Sequence, residues 1–124
     1  MDRLQKIIDK HINQYYHNNA EFIKYIPKYI IKLYIKKNKK KYYEIGYIYQ
    51  FYYNNDDLMH KYYNKAIDEG DSNAMNNLGD YYFTEKNYDL MKKYYLDAIK
   101  LGHLLSINNL YYYYHVKKYD IMKK

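Results

Sequence analysis

The side chains that could do chemistry in this chain are mainly its five histidines and its carboxylates. Asp56 and His60 stand four residues apart, on one face of a predicted helix, where a carboxylate could orient an imidazole as a general base. The pair does not recur in the related segments described below, so a solvent-exposed helix start is the other interpretation. No two histidines have the i, i+4 spacing of a metal-binding pair. The five are His11, His17, His60, His103 and His115.

A second candidate is the acidic group Asp68, Glu69 and Asp71, which surrounds a predicted helix end. Calcium binding or acid–base work is one interpretation, and a surface charge cluster is the other, favoured because the related segment lacks these carboxylates. No phosphate-binding glycine loop is available, since all four glycines belong to a repeated helical framework. The sequence therefore predicts no enzyme, no metal site and no cofactor.

Composition predicts a small intracellular protein. The chain has 124 residues, 48% of them hydrophobic, and no cysteine, which excludes disulfides and thiolate zinc sites. It contains no apolar run of membrane-spanning length, and the start MDRLQKIIDKH lacks the apolar stretch of a signal peptide. We expect a cytoplasmic protein that is not secreted and has no membrane span. If the protein is viral, the host cytoplasm or a viral factory is expected.

The net charge of +7 is unevenly distributed. Residues 1–41 carry eleven basic and three acidic side chains, whereas residues 42–105 carry six basic and ten acidic ones. Residues 106–124 are again basic, with four lysines and one aspartate. The positive charge therefore belongs to the two ends of the sequence, chiefly to the first third.

The elements that position these side chains are predicted from an internal repeat. The segment DLMKKYYLDAIKLG at 89–102 matches DLMHKYYNKAIDEG at 57–70 in nine of fourteen positions. Extending the match aligns IGYIY at 45–49 with LGDYY at 78–82 and LYYYY at 110–114, and the two DLM segments with DIM at 120–122. A period of 31 to 33 residues is typical of stacked supersecondary units.

Each unit is predicted to be a pair of helices, because apolar residues of the second half recur at steps of three and four. An aspartate opens each second helix, at Asp57, Asp89 and Asp120, and Gly70 and Gly102 end the first two. Glycine inside a helix costs about 1 kcal/mol relative to alanine. We therefore expect close helix crossings in which Gly46 faces Ala66 and Gly79 faces Ala98.

The predicted organisation is one compact domain with a cap and three units. Residues 1–40 form a basic helical cap, with a helix over roughly 2 to 16 and a second helix from about 21 to 36 that is kinked or restarted at Pro27. The units are 41–73, 74–105 and a partial 106–124. In the last unit Tyr111 replaces the glycine, and a second helix is predicted to begin at Asp120 and to be truncated.

These residues resemble the Sel-one-like repeat, a branch of the tetratricopeptide superfamily. The resemblance covers residues 41–124, and the Tyr, Asn and Lys content is similar to that of repeat proteins of giant amoebal viruses. Met59, Met91 and Met122 depart from the family pattern, and its glycine-containing turn between helices is missing. The residues that carry the resemblance are Ile45, Gly46, Tyr49, Tyr62, Tyr63, Ala66, Gly70, Ala74, Leu78, Gly79, Tyr82, Tyr94, Tyr95, Ala98, Gly102, Ser106, Leu110 and Tyr114.

The resemblance implies an all-α fold, a short α-solenoid of antiparallel helix hairpins, that binds a protein or peptide and performs no chemistry. It also implies that the first helices line a concave face where asparagines grip a peptide backbone with donor and acceptor together. The alternative is that these asparagines lie on an ordinary solvated surface. The expected binding residues are Tyr43, Tyr47, Gln50, Asn76, Asn77, Asp80, Phe83, Asn108, Asn109, Tyr112 and His115.

A lysine stripe offers a different function. Lysines recur every four residues from Lys24 to Lys40 and alternate with tyrosines, and KKNKKK follows at 36–41. Like charges at i, i+4 repel by a few tenths of a kcal/mol each, so an anionic partner would relieve them. The anionic partner could be nucleic acid, an acidic protein or an anionic membrane. The other interpretation is a lysine-rich helix face that is simply exposed to solvent. The predicted patch is Lys24, Lys28, Lys32, Lys36, Lys39, Lys40 and Lys41.

Three hypotheses follow, led by a non-enzymatic scaffold or adaptor that binds a protein or peptide through its helical-repeat surface. The alternative is binding of nucleic acid or an anionic surface through the lysines, without base-specific reading because the chain has a single arginine, Arg3. The third is a self-assembling structural protein, since a truncated last hairpin would leave an apolar edge exposed.

Overall fold

The computed structural model describes Arg3, Lys6 and residues 23 to 123, with side chains described as far as Val116. These residues form helices and no strand, which confirms the all-α prediction. The predicted helix over residues 2 to 16 lies outside the described residues, except for Arg3 and Lys6. The helices are α1 (Lys28–Lys37), α2 (Tyr42–Phe51), α3 (Asp56–Asp68), α4 (Ser72–Thr84), α5 (Tyr88–Lys100) and α6 (Leu104–Lys123).

The chain divides into two compact units, Met1–Ala66 and Ile67–Lys124. The first unit contains α1, α2 and most of α3, and the second contains α4, α5 and α6. In the second unit α5 packs against both α4 and α6.

Pro27 restarts the chain as predicted, because its fixed φ of −56° and missing N–H suit the position before a helix. Residues 24 to 26 form a turn and a bend, and α1 begins at Lys28. Ile31 and Tyr34 bury one face of α1. The Tyr52 hydroxyl, beyond the end of α2, donates to the carbonyl of Ile26 at 2.9 Å and ties the first unit together.

The second helix of each hairpin, α3 or α5, is capped by an asparagine. The amide of Leu58 donates to Oδ1 of Asn55 at 3.0 Å, and the amide of Leu90 donates to Oδ1 of Asn87 at 3.3 Å. Both asparagines precede their helix directly, and each satisfies one amide of the first turn.

The aspartates predicted at these helix starts lie two residues after the capping asparagines. Asp57 and Asp89 stand in the first turns of α3 and α5, where a carboxylate favours the positive end of the helix dipole. The helix stops agree with prediction, since Gly70 and Gly102 follow α3 and α5 with φ values of +81° and +83°.

The prediction that each helix glycine faces an alanine is wrong, because the nearest side chain is a tyrosine. A Cβ built on Gly46 would meet the ring of Tyr63 at 2.5 Å, and one on Gly79 would meet the ring of Tyr95 at 2.5 Å. Each glycine therefore makes room for a buried tyrosine ring of the opposite helix. The alanines are buried too, but they stand one turn further along and do not fill the space left by the missing Cβ.

Both hairpins share a second ring contact. The rings of Tyr49 and Tyr62 stack at 5.6 Å between centroids with an interplanar angle of 12°. The rings of Tyr82 and Tyr94 stack at 5.6 Å and 7°. In each hairpin, consecutive tyrosines of the second helix therefore hold the first helix, one against its glycine and one against its next turn.

The helix hairpin predicted in the partial repeat 106–124 is absent, because α6 runs without interruption from Leu104 to Lys123. The two earlier turns use a residue with positive φ, Asn54 (52°) or Lys86 (60°), followed by a capping asparagine. By the aspartate register the capping position of the last unit is Lys118, whose side chain has no acceptor. Nothing in this stretch stops the helix, and it continues through Asp120.

Candidate functional site

The most prominent surface feature of the second unit is an apolar face of α6. Tyr111 is 69% exposed, Tyr114 57% and Ile107 47%. With Leu110, Ile99 and His115 they line an open cavity of about 330 Å³. Grouped exposed apolar side chains of this kind mark interaction surfaces more often than scattered ones do.

The residues of this face align with residues of α2 and α4 that the following helix covers. Leu110 aligns with Ile45 of α2 and Leu78 of α4, which are 1% and 0% exposed. Tyr114 aligns with Tyr49 and Tyr82, whose rings stack on tyrosines of the following helix. Within the described residues no second helix follows α6 to cover its face.

In the first unit, the residues expected on a concave face lie largely inside. Tyr43 and Tyr47 of α2 are 5% and 0% exposed, so the prediction of a contact surface is corrected at these two positions. The Tyr43 ring stacks on Tyr63 of α3 at 6.0 Å. Gln50 is half-buried and accepts a hydrogen bond from the Tyr63 hydroxyl at 2.7 Å.

In the second unit, Asn76 and Asn77 are also buried and offer no peptide-binding surface. The amide oxygen of Asn76 accepts from the Ser106 hydroxyl at 2.7 Å and from Nδ2 of Asn109 at 3.0 Å. Two of the expected peptide-gripping carboxamides are thus bonded to each other and hold α4 to α6. A buried polar group stays buried only when it has such a partner.

The same cluster holds a serine, histidine and asparagine in hydrogen-bond sequence. Oγ of Ser106 lies 2.9 Å from Nδ1 of His103, and Nε2 of His103 lies 3.0 Å from Oδ1 of Asn73. Burial lowers the pKa of His103, which favours its neutral form. The geometry resembles a nucleophile, base and orienting group. Ser106 is fully buried, however, so a substrate cannot reach its hydroxyl, and the arrangement holds helices together.

Sequence analysis missed this cluster because its members come from two distant segments. Ser106 and His103 are three residues apart, but their partners Asn73 and Asn76 are 30 residues away. The available signal was a serine at the position where Ala74 stands one unit earlier, since a hydroxyl at a core position needs an acceptor.

Asp80 forms the second polar contact in the interior of this unit. Its carboxylate accepts hydrogen bonds from the hydroxyls of Tyr95 and Tyr113. Burial raises the pKa of Asp80 to about 6, although both hydrogen bonds favour the charged form. Burial and the nearby carboxylate raise the pKa of Tyr113 to about 12 and that of Tyr95 as well. Phe83 stacks on the Tyr113 ring with centroids 3.8 Å apart.

The residues of the predicted binding set that lie on α6, apart from Asn109, are exposed to solvent. Asn108, Tyr112 and His115 of α6 are exposed, and His115 lines the apolar cavity. A binding role for the residues that are not buried stays a prediction. All seven lysines of the predicted basic patch are exposed: Lys24, Lys28, Lys32, Lys36, Lys39, Lys40 and Lys41.

Other classes of site were sought in the described part of the chain. Over Arg3, Lys6 and residues 23 to 123, no three histidine, aspartate or glutamate side chains are grouped so that they could hold a metal ion. Over the same residues, no helix combines the length and apolar character needed to cross a bilayer.

Compared with models of protein families, with curated proteins and with solved structures, the chain gives no match.

Proposed function

We propose that this chain is a non-enzymatic, cytoplasmic interaction module of the Sel-one-like kind, and that it binds an amphipathic helix of a partner protein on the open face of α6. The face is defined by Ile107, Leu110, Tyr111 and Tyr114, together with Ile99 of α5. The observation that carries the proposal is the exposure of this face at a register where the chain elsewhere places a second helix.

The covered faces indicate what kind of partner fits. On α2 and α4 the same register receives a helix with two consecutive tyrosines and, three residues after the second, a buried alanine. Helix-in-groove recognition reads such anchors at i, i+3 and i+4. An amphipathic helix with apolar residues at this spacing is therefore the natural occupant of the 330 Å³ cavity.

Tyr111 sets the size of the residue opposite. By register, Tyr111 stands where Gly46 and Gly79 leave space for a tyrosine ring, and its own side chain is 69% exposed. A partner helix must place a small residue against it, as alanine or glycine. In the hairpins a glycine of the first helix faces a tyrosine of the second, whereas on α6 a tyrosine faces a small residue of the partner. A helix with the same sequence as α3 or α5 is therefore not the best ligand.

Charge at the rim of the face favours an acidic helix. Lys100 follows Ile99 directly and is exposed. Rim charges add specificity and speed of association more than affinity. Residues 56–70, DDLMHKYYNKAIDEG, carry four acidic and two lysine side chains and provide a template for such a ligand.

The test is a titration of the labelled protein with a synthetic peptide of residues 56–70 in which Tyr63 is replaced by alanine, followed by amide chemical shifts. We expect the shifts to concentrate on Ile107, Tyr111 and Tyr114. Tyr114→Ala should weaken binding about tenfold, because loss of a buried ring removes roughly 1.4 kcal/mol or more. The matched control Leu104→Ala, on the same helix, exposed and outside the cavity, should leave the affinity unchanged.

Two results would contradict the proposal. One is a set of shifts spread over α2 or α4 with none on α6. The other is a protein that is dimeric in light scattering and becomes monomeric in Tyr114→Ala, because the occupant of the face would then be a second copy of the chain. A monomer that binds the peptide with the expected mutant pattern supports an external partner.

A further inference from the structure

Among the described residues, a strongly charged surface lies in the first unit, on α1 and the turn that follows it. Lys28, Lys32 and Lys36 are exposed along one line of α1, four residues apart. At 1.5 Å per residue, successive lysines are displaced by about 6 Å along the helix. Between residues 22 and 43 the sequence holds eight lysines and no carboxylate.

The turn after α1 continues the line of charge. Its backbone is fixed by hydrogen bonds from the amide of Asn38 to the carbonyl of Tyr34 at 3.0 Å and from the amide of Lys41 to the carbonyl of Asn38 at 3.0 Å. Residues 36 to 41, five lysines and Asn38, line an open depression of about 540 Å³. Lys41 precedes α2 and caps none of its amides with its side chain, and Glu44 in the first turn offsets part of the positive charge of this helix start.

Aromatic rings interleave with the lysines in the turn before α1 and on the outer side of α1. Tyr25 is 77% exposed and Tyr29 is 72% exposed, four residues apart, and Leu33 follows at the next step with 41% exposed. Each of these stands one residue after a lysine of the stripe. Because Ile31 and Tyr34 already bury the inner face, the outer tyrosines are not needed for the core.

We propose that α1 and the lysine turn at residues 38–41 form a sequence-independent binding surface for single-stranded nucleic acid. Such surfaces combine cations that follow the phosphates with exposed rings on which bases stack. A duplex hides its bases from Tyr25 and Tyr29, whereas a single strand offers both phosphates and bases. Lysine acts as a point charge and not as a bidentate guanine reader, so no base preference is expected.

Two other anionic partners fit less well. An acidic peptide would neutralise the lysines but has no use for two exposed rings beside them. A membrane surface takes up larger apolar side chains, and the outer face of α1 offers Leu33 and two phenols, whose hydroxyls retain water. Both remain as outcomes of the test.

The experiment measures fluorescence anisotropy of a labelled 15-nucleotide oligothymidine with the full chain from 50 to 200 mM KCl. We expect log affinity to fall against log salt with a slope of about −3, as for roughly four phosphate contacts on a single strand. The triple variant Lys28→Gln, Lys32→Gln, Lys36→Gln should reduce the slope by about 2 and the affinity at 50 mM by more than tenfold. The triple control Lys61→Gln, Lys86→Gln, Lys92→Gln removes the same charge elsewhere and should keep the slope.

The rings are tested separately with Tyr25→Leu, Tyr29→Leu, which keeps apolar size and helix propensity but removes stacking. Affinity for oligothymidine should fall about tenfold with the slope unchanged. The proposal is overturned if this variant binds as tightly as the wild type, if a 15-base-pair duplex binds more tightly than the single strand, or if vesicles with 30% phosphatidylserine or polyglutamate bind more tightly than the oligonucleotide. Circular dichroism verifies that each variant keeps its helices.

Discussion

Replacing Gly79 by alanine is expected to lower the free energy of unfolding by up to about 2 kcal/mol. Overpacking a filled core costs roughly 1 to 3 kcal/mol, and here the added Cβ would meet Cε1 of Tyr95 at 2.5 Å and Cδ1 at 2.6 Å. Tyr95 is fully buried and stacks on Tyr113, so its ring has little room to move. The helix propensity of alanine returns about 1 kcal/mol, which is less than the cost at the upper end of the range.

The measurement is urea unfolding of Gly79→Ala in two backgrounds. In the wild-type chain the substitution should destabilise. In a Tyr95→Leu chain, where the ring is gone, the same substitution should be neutral or stabilising by up to about 1 kcal/mol, because the propensity gain remains and the clash does not. Equal destabilisation in both backgrounds would show that the ring does not determine the glycine.

Replacing Asp80 by asparagine is expected to stabilise the protein at pH 7.5 by about 2 to 3 kcal/mol. Burial raises the pKa of Asp80 from 3.8 to about 6, so the folded protein holds this proton more tightly than the unfolded chain does. The stability from this group is complete below about pH 4 and is lost as the pH rises through 6. One pKa unit corresponds to about 1.4 kcal/mol, which gives roughly 3 kcal/mol for the whole shift.

Asparagine stays neutral at every pH and keeps an oxygen that can accept from Tyr95. The first unit already uses this arrangement, with Gln50 accepting from the Tyr63 hydroxyl at 2.7 Å. We therefore expect the gain from Asp80→Asn to shrink to less than about 1 kcal/mol at pH 4. Chemical unfolding of both chains at pH 4 and pH 7.5 measures the difference, and a gain independent of pH would disprove the role of the buried carboxylate.

Local signals predicted most of the helix boundaries in the described residues. Pro27 restarts α1, and Gly70 and Gly102 follow α3 and α5 with positive φ. These features depend on the backbone of one residue, so the residue type alone carries the information. The same holds for the lysine stripe, which lies on the outside of α1 because the buried residues Ile31 and Tyr34 fix its inner face.

Partners across helices could not be predicted in the same way. The resemblance to Sel-one-like repeats implies that Asn76 and Asn77 lie on a concave binding face, yet six consecutive residues of α4, from Ala74 to Gly79, are buried. Only the presence of Ser106 and Asn109 explains how α4 keeps Asn76 inside. The choice of Tyr63 and Tyr95 over the alanines depends in the same way on the offset between two helices, which a repeat pattern does not contain.

The predicted third repeat, residues 106–124, shows the limit of an alignment based on residue identity alone. DIM at 120–122 aligns with two helix starts, but a helix start needs a stop before it and a cap, and that segment has neither. The capping asparagines of the earlier turns are the physical signal, and a lysine, Lys118, at the equivalent position predicts a continuous α6. The open face of α6 follows from that continuity.

The most direct test of the proposed function is a reversal of size preference at Tyr111. Two peptides of residues 56–70, one with Tyr63 and one with Tyr63→Ala, are titrated by calorimetry against the wild-type protein and against Tyr111→Gly. The wild type should prefer the alanine peptide, and Tyr111→Gly should prefer the tyrosine peptide, each by about fivefold or more, because overpacking one ring costs at least roughly 1 kcal/mol. The same preference in both proteins, or no binding of either peptide, would contradict a helix-binding face on α6.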